Sequence, residues 1–450
     1  MNDRVRWHAR WVVPVAAPPI ADGTVVTDGD RIAWVGPRAS APVGGRDEQL
    51  GDAILTPGLV NAHTHLDLTM LRGLLEDLSF FDWVRTVTRL TREALDDRDF
   101  ADAATLGIAE GLTAGITTYA DTAPGDAPFN AMLAMGVRGI AYREVFGPDP
   151  AQAAASLATL KDHVAAMRPR ETDLVRVGVS PHAPYSVSDA LFAAVAEYAE
   201  RELLPVAVHI AESAEETALV AEGAGQFADF LRGRGIPVVP RGPQPAEVLQ
   251  RAGLMRAHTL LIHCVRVDTA MVQAIAASGC GVAHCPASNA RLGHGIAPLH
   301  EFLRAGARVG LGSDSVASND RLDILEEARL ASHQQRARLG RHDAVTARAA
   351  VRLATLGGAE ALRLDGAIGS LETGKQADLA AFTIEPHHAP VTDPHVALAF
   401  GPRMRAARVV VAGRERVRDG RVIGLDAAVA GRVQAAAAKA ERWRRTQPPG

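Results

Sequence analysis

The pair His63-Thr64-His65 opens the chemistry of this chain. Side chains two residues apart on an extended strand point to the same side, so both imidazoles can reach one cation. In isolation an H-x-H pair can equally be two core histidines. Here it sits in LTPGLVNAHTHLD, behind Pro57-Gly58, and further metal-binding side chains follow on later segments. His209 would add a third imidazole and Asp314 an anionic oxygen. Such a set suits Zn²⁺ or Fe²⁺ better than Mg²⁺ or Ca²⁺, and leaves a position open for water, as catalytic sites do. The spacing His209-Ile-Ala-Glu212 puts a carboxylate just past the third imidazole, close enough to shuttle protons without binding the ion. The competing reading of Glu212 is a solvated loop acid, which is how Glu215 and Glu216 read in HIAESAEE. His263 could orient the attacking water or be a satisfied core histidine. Asp314, touching both ion and water, could accept the proton as water attacks.

These groups need a frame that brings them together. Between Pro57 and about Leu364, short apolar runs alternate with longer alanine-rich segments of helical periodicity. The runs are Gly58–Ala62, Ile116–Tyr119, Gly139–Tyr142, Val175–Val179, Val206–Val208, Thr259–Ile262, Gly281–Ala283 and Val309–Leu311. Eight runs so spaced predict a (β/α)8 TIM barrel. Ala101–Gly111 and Asp189–Arg201 read as helices, the second capped by Ser188. Each run ends in polar residues: His63 and His65, Asp121, Arg143 and Glu144, His182, His209 and Glu212, His263, His284 and Cys285, and Asp314. In a barrel these project from the C-terminal face, where such folds place their chemistry. Five of the sixteen histidines (His63, His65, His182, His209 and His263) stand at such ends with a metal role open to them.

Both chain ends have a different texture. Val12–Val15, Gly23–Thr27 and Ile32–Val35 at one end, and Ala377–Phe382, Ala407–Val411 and Val417–Val422 at the other, are short apolar runs broken by turn residues such as Asp28-Gly29 and Asp419-Gly420. They predict a small β-sandwich domain built from both ends. The expected division is 1–56 for its N-terminal part, 57–365 for a metal-dependent hydrolase barrel, and 366–450 for its C-terminal part. A terminal helix is expected over Ala427–Trp443.

Composition narrows the classes. The chain has 450 residues, 47% apolar and 22% charged, with a formal net charge of −4. These are ordinary values for a soluble globular protein and give no reason to expect nucleic acid or a membrane as partner. The N-terminal segment, broken by Pro14, Pro18 and Pro19, reads as a poor signal peptide. No charge-free apolar run is long enough to span a bilayer, and a cytoplasmic protein is the expectation. Cys264, Cys280 and Cys285 form no C-x-x-C and read as buried free thiols. Lysine occurs only at 161, 375 and 439. Binuclear barrels commonly bridge their ions with a carboxylated lysine on the fourth strand. The fourth run here, VRVGVSPHAPYS, has none, which predicts one divalent ion per chain.

TPGLVNAHTHLDLTMLRG, SPHAPYSVSDALF, HIAES, LLIHCVRVD, VAHCPASNARLGHGIAPL, GLGSDSVASNDRLDILEEARLA and DGAIGSLETGKQADLAAF, taken in order, resemble the amidohydrolase superfamily in its cytosine deaminase and triazine-hydrolase-like branch. The resemblance implies a single metal held by His63, His65, His209 and Asp314. It implies that Glu212 protonates a ring nitrogen of the substrate while His263 and Asp314 activate water, so that an amine leaves an aromatic ring carbon.

Substrate choice rests on smaller segments. SPHAPYSVS, with His182, looks like deaminases of S-adenosylhomocysteine and methylthioadenosine. LGHGIAPL with His294, HIAESAEE and FFDWVRTVTRLTRE look more like aminodeoxyfutalosine deaminases of the futalosine route to menaquinone, and that substrate is the first expectation. An s-triazine or guanine-type aminohydrolase is a further alternative, and a barrel kept as a non-catalytic scaffold would predict missing ligands, of which there are none. His182 is read as a substrate contact, since the ligand set is already full. Trp83 would cap or stack on the purine, or be a core aromatic of its helix. Glu93 lies near where relatives bind ribose hydroxyls. Arg143 would meet a substrate carboxylate, or pair with Glu144 or another acid. Cys285 stands where many relatives have asparagine and reads as a small buried hydrophobe. The partner expected is thus a small aminopurine nucleoside, and the resemblance also allows a homo-oligomer.

Overall fold

The computed structural model describes residues 4–447. Five strands precede the barrel: β1 (Arg4–Val12), β2 (Ile20–Asp28), β3 (Arg31–Pro37), β4 (Arg46–Gln49) and β5 (Ala53–Pro57). The barrel strands are β6 (Leu59–His65), β7 (Ile116–Ala123), β8 (Arg138–Val145), β9 (Val175–Pro181), β10 (Val206–Ile210), β11 (Thr259–His263), β12 (Gly281–His284), β13 (Arg308–Leu311) and the two-residue β14 (Asp314–Ser315). After them come β15 (Leu379–Thr383), β16 (Ala406–Val411), β17 (Arg414–Arg418) and β18 (Arg421–Val422).

All eight predicted runs are strands, and they pair in parallel in chain order from β6 to β13. β14 then pairs with β6, placing Asp314 against Thr64 and Ser315 against His65. That short contact joins the last strand to the first, and it carries one carboxylate to the strand bearing two imidazoles. Val60, Ala62, Ala120, Ile140, Tyr142, Ala207, Leu260, Ile262 and Ala283 from these strands pack together, with Ala359, Ala361, Leu362 and Ile368 against them. Small and branched side chains layered in this way fill a barrel. The helical segment Gly358–Ala361 sits so tightly on the strands that a Cβ on Gly281 would lie 2.1 Å from the Ala361 carbonyl oxygen.

The two ends of the chain meet in one mixed sheet ordered β18-β17-β16-β15-β5-β1-β2-β3, with β4 also on β1. The run Val417–Val422 is a hairpin rather than one strand: Arg418 pairs with Arg421 across Asp419-Gly420, whose φ values are 51° and 72°. Two successive left-handed residues are what a two-residue turn requires between right-twisted strands. Val13–Val15 lies beyond the end of β1, which runs from Arg4 instead.

Two helices matter for the site. α1 (Phe80–Glu93) is capped by Ser79, and α2 (Asp97–Thr113) by an Asp96–Asp99 capping box. Ser188 caps the helix Asp189–Arg201, accepting the Leu191 N–H. The C-terminal helix, Val429–Thr446, packs on α2. Among the described residues no helix is long and apolar enough to cross a membrane, and all three cysteines are buried and free.

Candidate active site

β6 extends past the predicted Ala62 to His65, so both imidazoles are strand residues on the same side. His63 Nε2 lies 3.2 Å and His65 Nε2 3.5 Å from the same oxygen, Asp314 Oδ1. The His209 ring, from β10, is 4.9 Å from that of His63 and 5.4 Å from that of His65. One ring nitrogen from each of His63, His65 and His209 falls within 4.8 Å of the others, and so do atoms of His63, His263 and Asp314.

Their surroundings fix which atoms face inward. His209 Nδ1 donates to the His182 carbonyl oxygen at 3.2 Å, leaving Nε2 as a free lone pair. Asp314 takes a left-handed φ of 55° and accepts from the Ser288 and Ser318 hydroxyls through Oδ2, leaving Oδ1 to the imidazoles. Burial drives His65 down to about 3, and burial likewise lowers His63 and takes His209 well below the ordinary value. The three rings are therefore neutral donors, as metal binding requires. Burial alone would raise Asp314, but the hydrogen bond of His63 and the surrounding imidazoles of His63, His263 and His65 outweigh it and hold the carboxylate well below its usual range.

Glu212 stands on the other side of this group. Its Oε1 is 3.5 Å from His263 Nε2 and 3.3 Å from His294 Nε2. It is 4% exposed. Burial would raise its carboxyl, yet the facing imidazoles of His263 and His294 lower it. Glu216 corrects the sequence expectation: it is wholly buried, and its carboxylate accepts the backbone N–H of Ala211 at 3.0 Å and of Glu212 at 2.7 Å. Ala211 has φ 51°, so the turn presenting Glu212 is strained and Glu216 holds it. The pattern Ser213-x-x-Glu216 was the readable signal, since Ser213 caps the helix Ala214–Glu222 and its N3 acid turns back to the preceding amides.

His182 follows β9, its ring 4.8 Å from His209. Ser186 Oγ donates to Ala183 O and so accepts from His182 Nδ1 at 2.7 Å, which leaves the His182 Nε2 lone pair free. Burial lowers this ring to about 4. Glu144 is buried beside it, pushed up to about 8 by burial and the neighbouring Asp67, and its Oε1 has no protein partner. Glu144, His182 and His209 also bring one ligand atom each within 4.8 Å, but the single free lone pair of His209 is shared with the first group. Aromatic rings surround this side: Phe146 against His182, and Phe80 against both Tyr185 and His294.

The remaining candidates are dispersed. Trp83 is half-buried on α1 and its Nε1 donates to Ala317 O at 3.4 Å, three residues beyond Asp314; its ring packs among apolar side chains. Arg143 pairs with Asp126 at 2.6 Å, the pairing with another acid that was its alternative reading. Glu93 lies about 15 Å along α1 from Trp83 at 1.5 Å per residue. It is bound to Arg89 and to Trp443 Nε1, so the helix register carries it away from the histidines. Two buried residues in PASN carried no expectation although they touch the site: Ser288, on Asp314, and Asn289, whose Oδ1 is 3.0 Å from His263 Nδ1. Cys285 is fully buried.

Comparison with known proteins places this geometry in a family. Residues 54–416 match the model of the amidohydrolase family. The 5-methylthioadenosine/S-adenosylhomocysteine deaminase of Moorella thermoacetica is 32% identical over 425 residues, 92% of this chain and 94% of that protein. The protein of the same name from Nitratidesulfovibrio vulgaris is 33% identical over 412 residues, 90% of this chain and 88% of that one. Among solved structures, an adenosine deaminase from Xanthomonas campestris with bound zinc superposes with a TM-score of 0.84 at 29% identity, covering 98% of each chain. Atrazine chlorohydrolase from Arthrobacter aurescens, complexed with zinc, gives 0.83 at 25% identity over 96% of this chain and all of that one. With eight parallel strands delivering those histidines to one end and the match spanning the whole barrel, the chain belongs to the amidohydrolase family.

Proposed function

We propose that this protein is a metal-dependent hydrolytic deaminase of a 6-aminopurine nucleoside, holding one divalent ion between His63, His65, His209 and Asp314. The observation that carries the reading is the convergence of three neutral imidazoles and one ionised carboxylate, with Glu212 and His263 beside them. Three nitrogen donors and one oxygen fit zinc or iron, and the zinc named in the two structural relatives favours zinc. When bound, the ion supplies Lewis acidity that makes water a nucleophile near neutral pH.

The chain's own groups then move protons. Glu212, ionised in its pair of imidazoles, takes a proton from the attacking water and delivers it to a ring nitrogen next to the amino-bearing carbon. That protonation makes the carbon electrophilic. His263 and Asp314 orient the water and accept its second proton, which returns to the amine. The carbon gains the water's oxygen and the amino group leaves as ammonia. His182, with its bare Nε2, contacts the substrate.

Methylthioadenosine and S-adenosylhomocysteine are the favoured substrates on the names of the relatives. The segments that resemble aminodeoxyfutalosine deaminases keep that nucleoside as the second reading. Ammonia release from a panel of methylthioadenosine, S-adenosylhomocysteine, aminodeoxyfutalosine, adenosine, guanine and a triazine tests both. Turnover of one or more of the four nucleosides is expected. Turnover of only guanine or the triazine would replace the proposal.

A further inference from the structure

We infer that Asn289 is a positioning residue, setting the orientation of the His263 imidazole that faces Glu212. The inference rests on the proposed roles of Glu212 and His263. An imidazole whose one N–H is held by a fixed acceptor has the direction of its other nitrogen fixed as well. His263 Nδ1–H donates to Asn289 Oδ1 at 3.0 Å, which turns Nε2 toward Glu212 Oε1, 3.5 Å away. The main chain of the same residue anchors the backbone of His294. The His294 N–H donates to the Asn289 carbonyl oxygen at 2.9 Å, and His294 Nε2 lies 3.3 Å from that same Glu212 oxygen.

Regular strand geometry does not supply this orientation. His263 has φ 74° and the next residue, Cys264, φ 48°, so β11 breaks at the histidine and its ring is aimed by whatever it touches. Asn289 is itself well held. Its N–H donates to Cys285 O at 3.0 Å in the first turn of the helix Pro286–Arg291, beside Ser288, which serves Asp314. Asn289 is 1% exposed and its Nδ2 has no protein partner. A buried amide with an unmade hydrogen bond weakens the fold rather than strengthening it. The side chain is thus poorly explained by stability and well explained by the His263 proton.

A purely structural residue and a positioning residue order the same variants oppositely. Asn289→Leu keeps the volume and removes the acceptor; Asn289→Asp keeps the acceptor and buries a charge. Thermal stability is expected to rank Leu near wild type, since it removes the unpaired Nδ2 but leaves the His263 N–H without an acceptor, and Asp below it. Activity is expected to rank wild type, then Asp, then Leu, with kcat in the leucine variant down about 10- to 100-fold, as for other outer residues that orient catalytic imidazoles. KM should stay within about 3-fold and metal content per chain unchanged. A leucine variant with wild-type kcat, or one whose loss of kcat tracks loss of metal or stability, overturns the inference. If the leucine variant does not fold, Asn289→Ala stands in, and equal kcat in the Ala and Asp variants overturns it. A parallel Glu212→Gln variant that stays active would instead show that the underlying reading of Glu212 is wrong.

Discussion

Glu212 and His284 show how differently two buried titratable residues can be used. Glu212 is ionised because two imidazoles face it, and it is a member of none of the groups that could hold the metal. Glu212→Gln is therefore expected to retain its metal and lose turnover by about 10²- to 10⁴-fold, the range for a general acid–base group. Metal analysis and kcat on the same preparation check this, and full activity with metal in place would remove Glu212 from the mechanism. His284 has no partner for either nitrogen, and burial depresses it from 6.5 to about 3. The unfolded chain takes up this proton below pH 6.5 and the folded chain does not until about 3, so stability falls as pH drops through that window. His284→Leu should flatten the fall by about one proton, or about 1.4 kcal/mol per pH unit midway. Denaturant midpoints between pH 7 and 4 measure it, and parallel curves for the two proteins would refute it.

At the scale of elements, the eight apolar runs were legible because a barrel strand is buried on both faces and is nearly uninterrupted by polar residues. Their ends were less so: β6 continues through His63 and His65 because polar side chains there find partners in the barrel mouth. The glycines of the later strands serve packing. Gly281 and Gly310 let the segment around Gly358–Ala361 lie directly on β12 and β13, where a Cβ would meet backbone at 2.1 and 2.6 Å. Gly281→Ala is expected to lower stability by about 1–3 kcal/mol, the usual cost of overpacking. A midpoint within experimental error of wild type would show that the segment can shift aside.

Across the whole molecule, one buried ion pair ties the barrel to the sheet built from both ends. Arg138, at the start of β8, donates to Asp378 from Nε at 2.8 Å and Nη2 at 3.2 Å, and Asp378 also accepts the Ala412 N–H after β16. The side chains are 8% and 3% exposed. Asp378→Asn leaves the guanidinium without its counter-ion and should cost about 3–5 kcal/mol, as removing one partner of a buried pair does. Thermal unfolding reads this, and a loss below about 1 kcal/mol would mean that solvent reaches Arg138. A bound ion should stabilise the same global transition, since four strands contribute its proposed ligands and neighbours. Chelation is expected to lower the melting temperature and readdition of about one equivalent of zinc to restore it. Restoration that requires two equivalents would overturn the single-ion reading drawn from the absence of a lysine on β9.

The sequence by itself determined the class of fold and the kinds of donor at each strand end. Both are local properties: burial writes an apolar run, and parallel strands in a barrel all end at one face. It also pointed to His63, His65, His209, Glu212, His263 and Asp314, which the structure brings together. Only the tertiary structure decided who is paired with whom. Arg143 is bound to Asp126, Glu93 to Trp443, Glu216 lies under the Glu212 turn, and Asn289 holds His263. A hydrogen-bond partner far along the chain depends on helix register and on strained backbone at the strand ends, and neither leaves a periodic trace in the residues themselves.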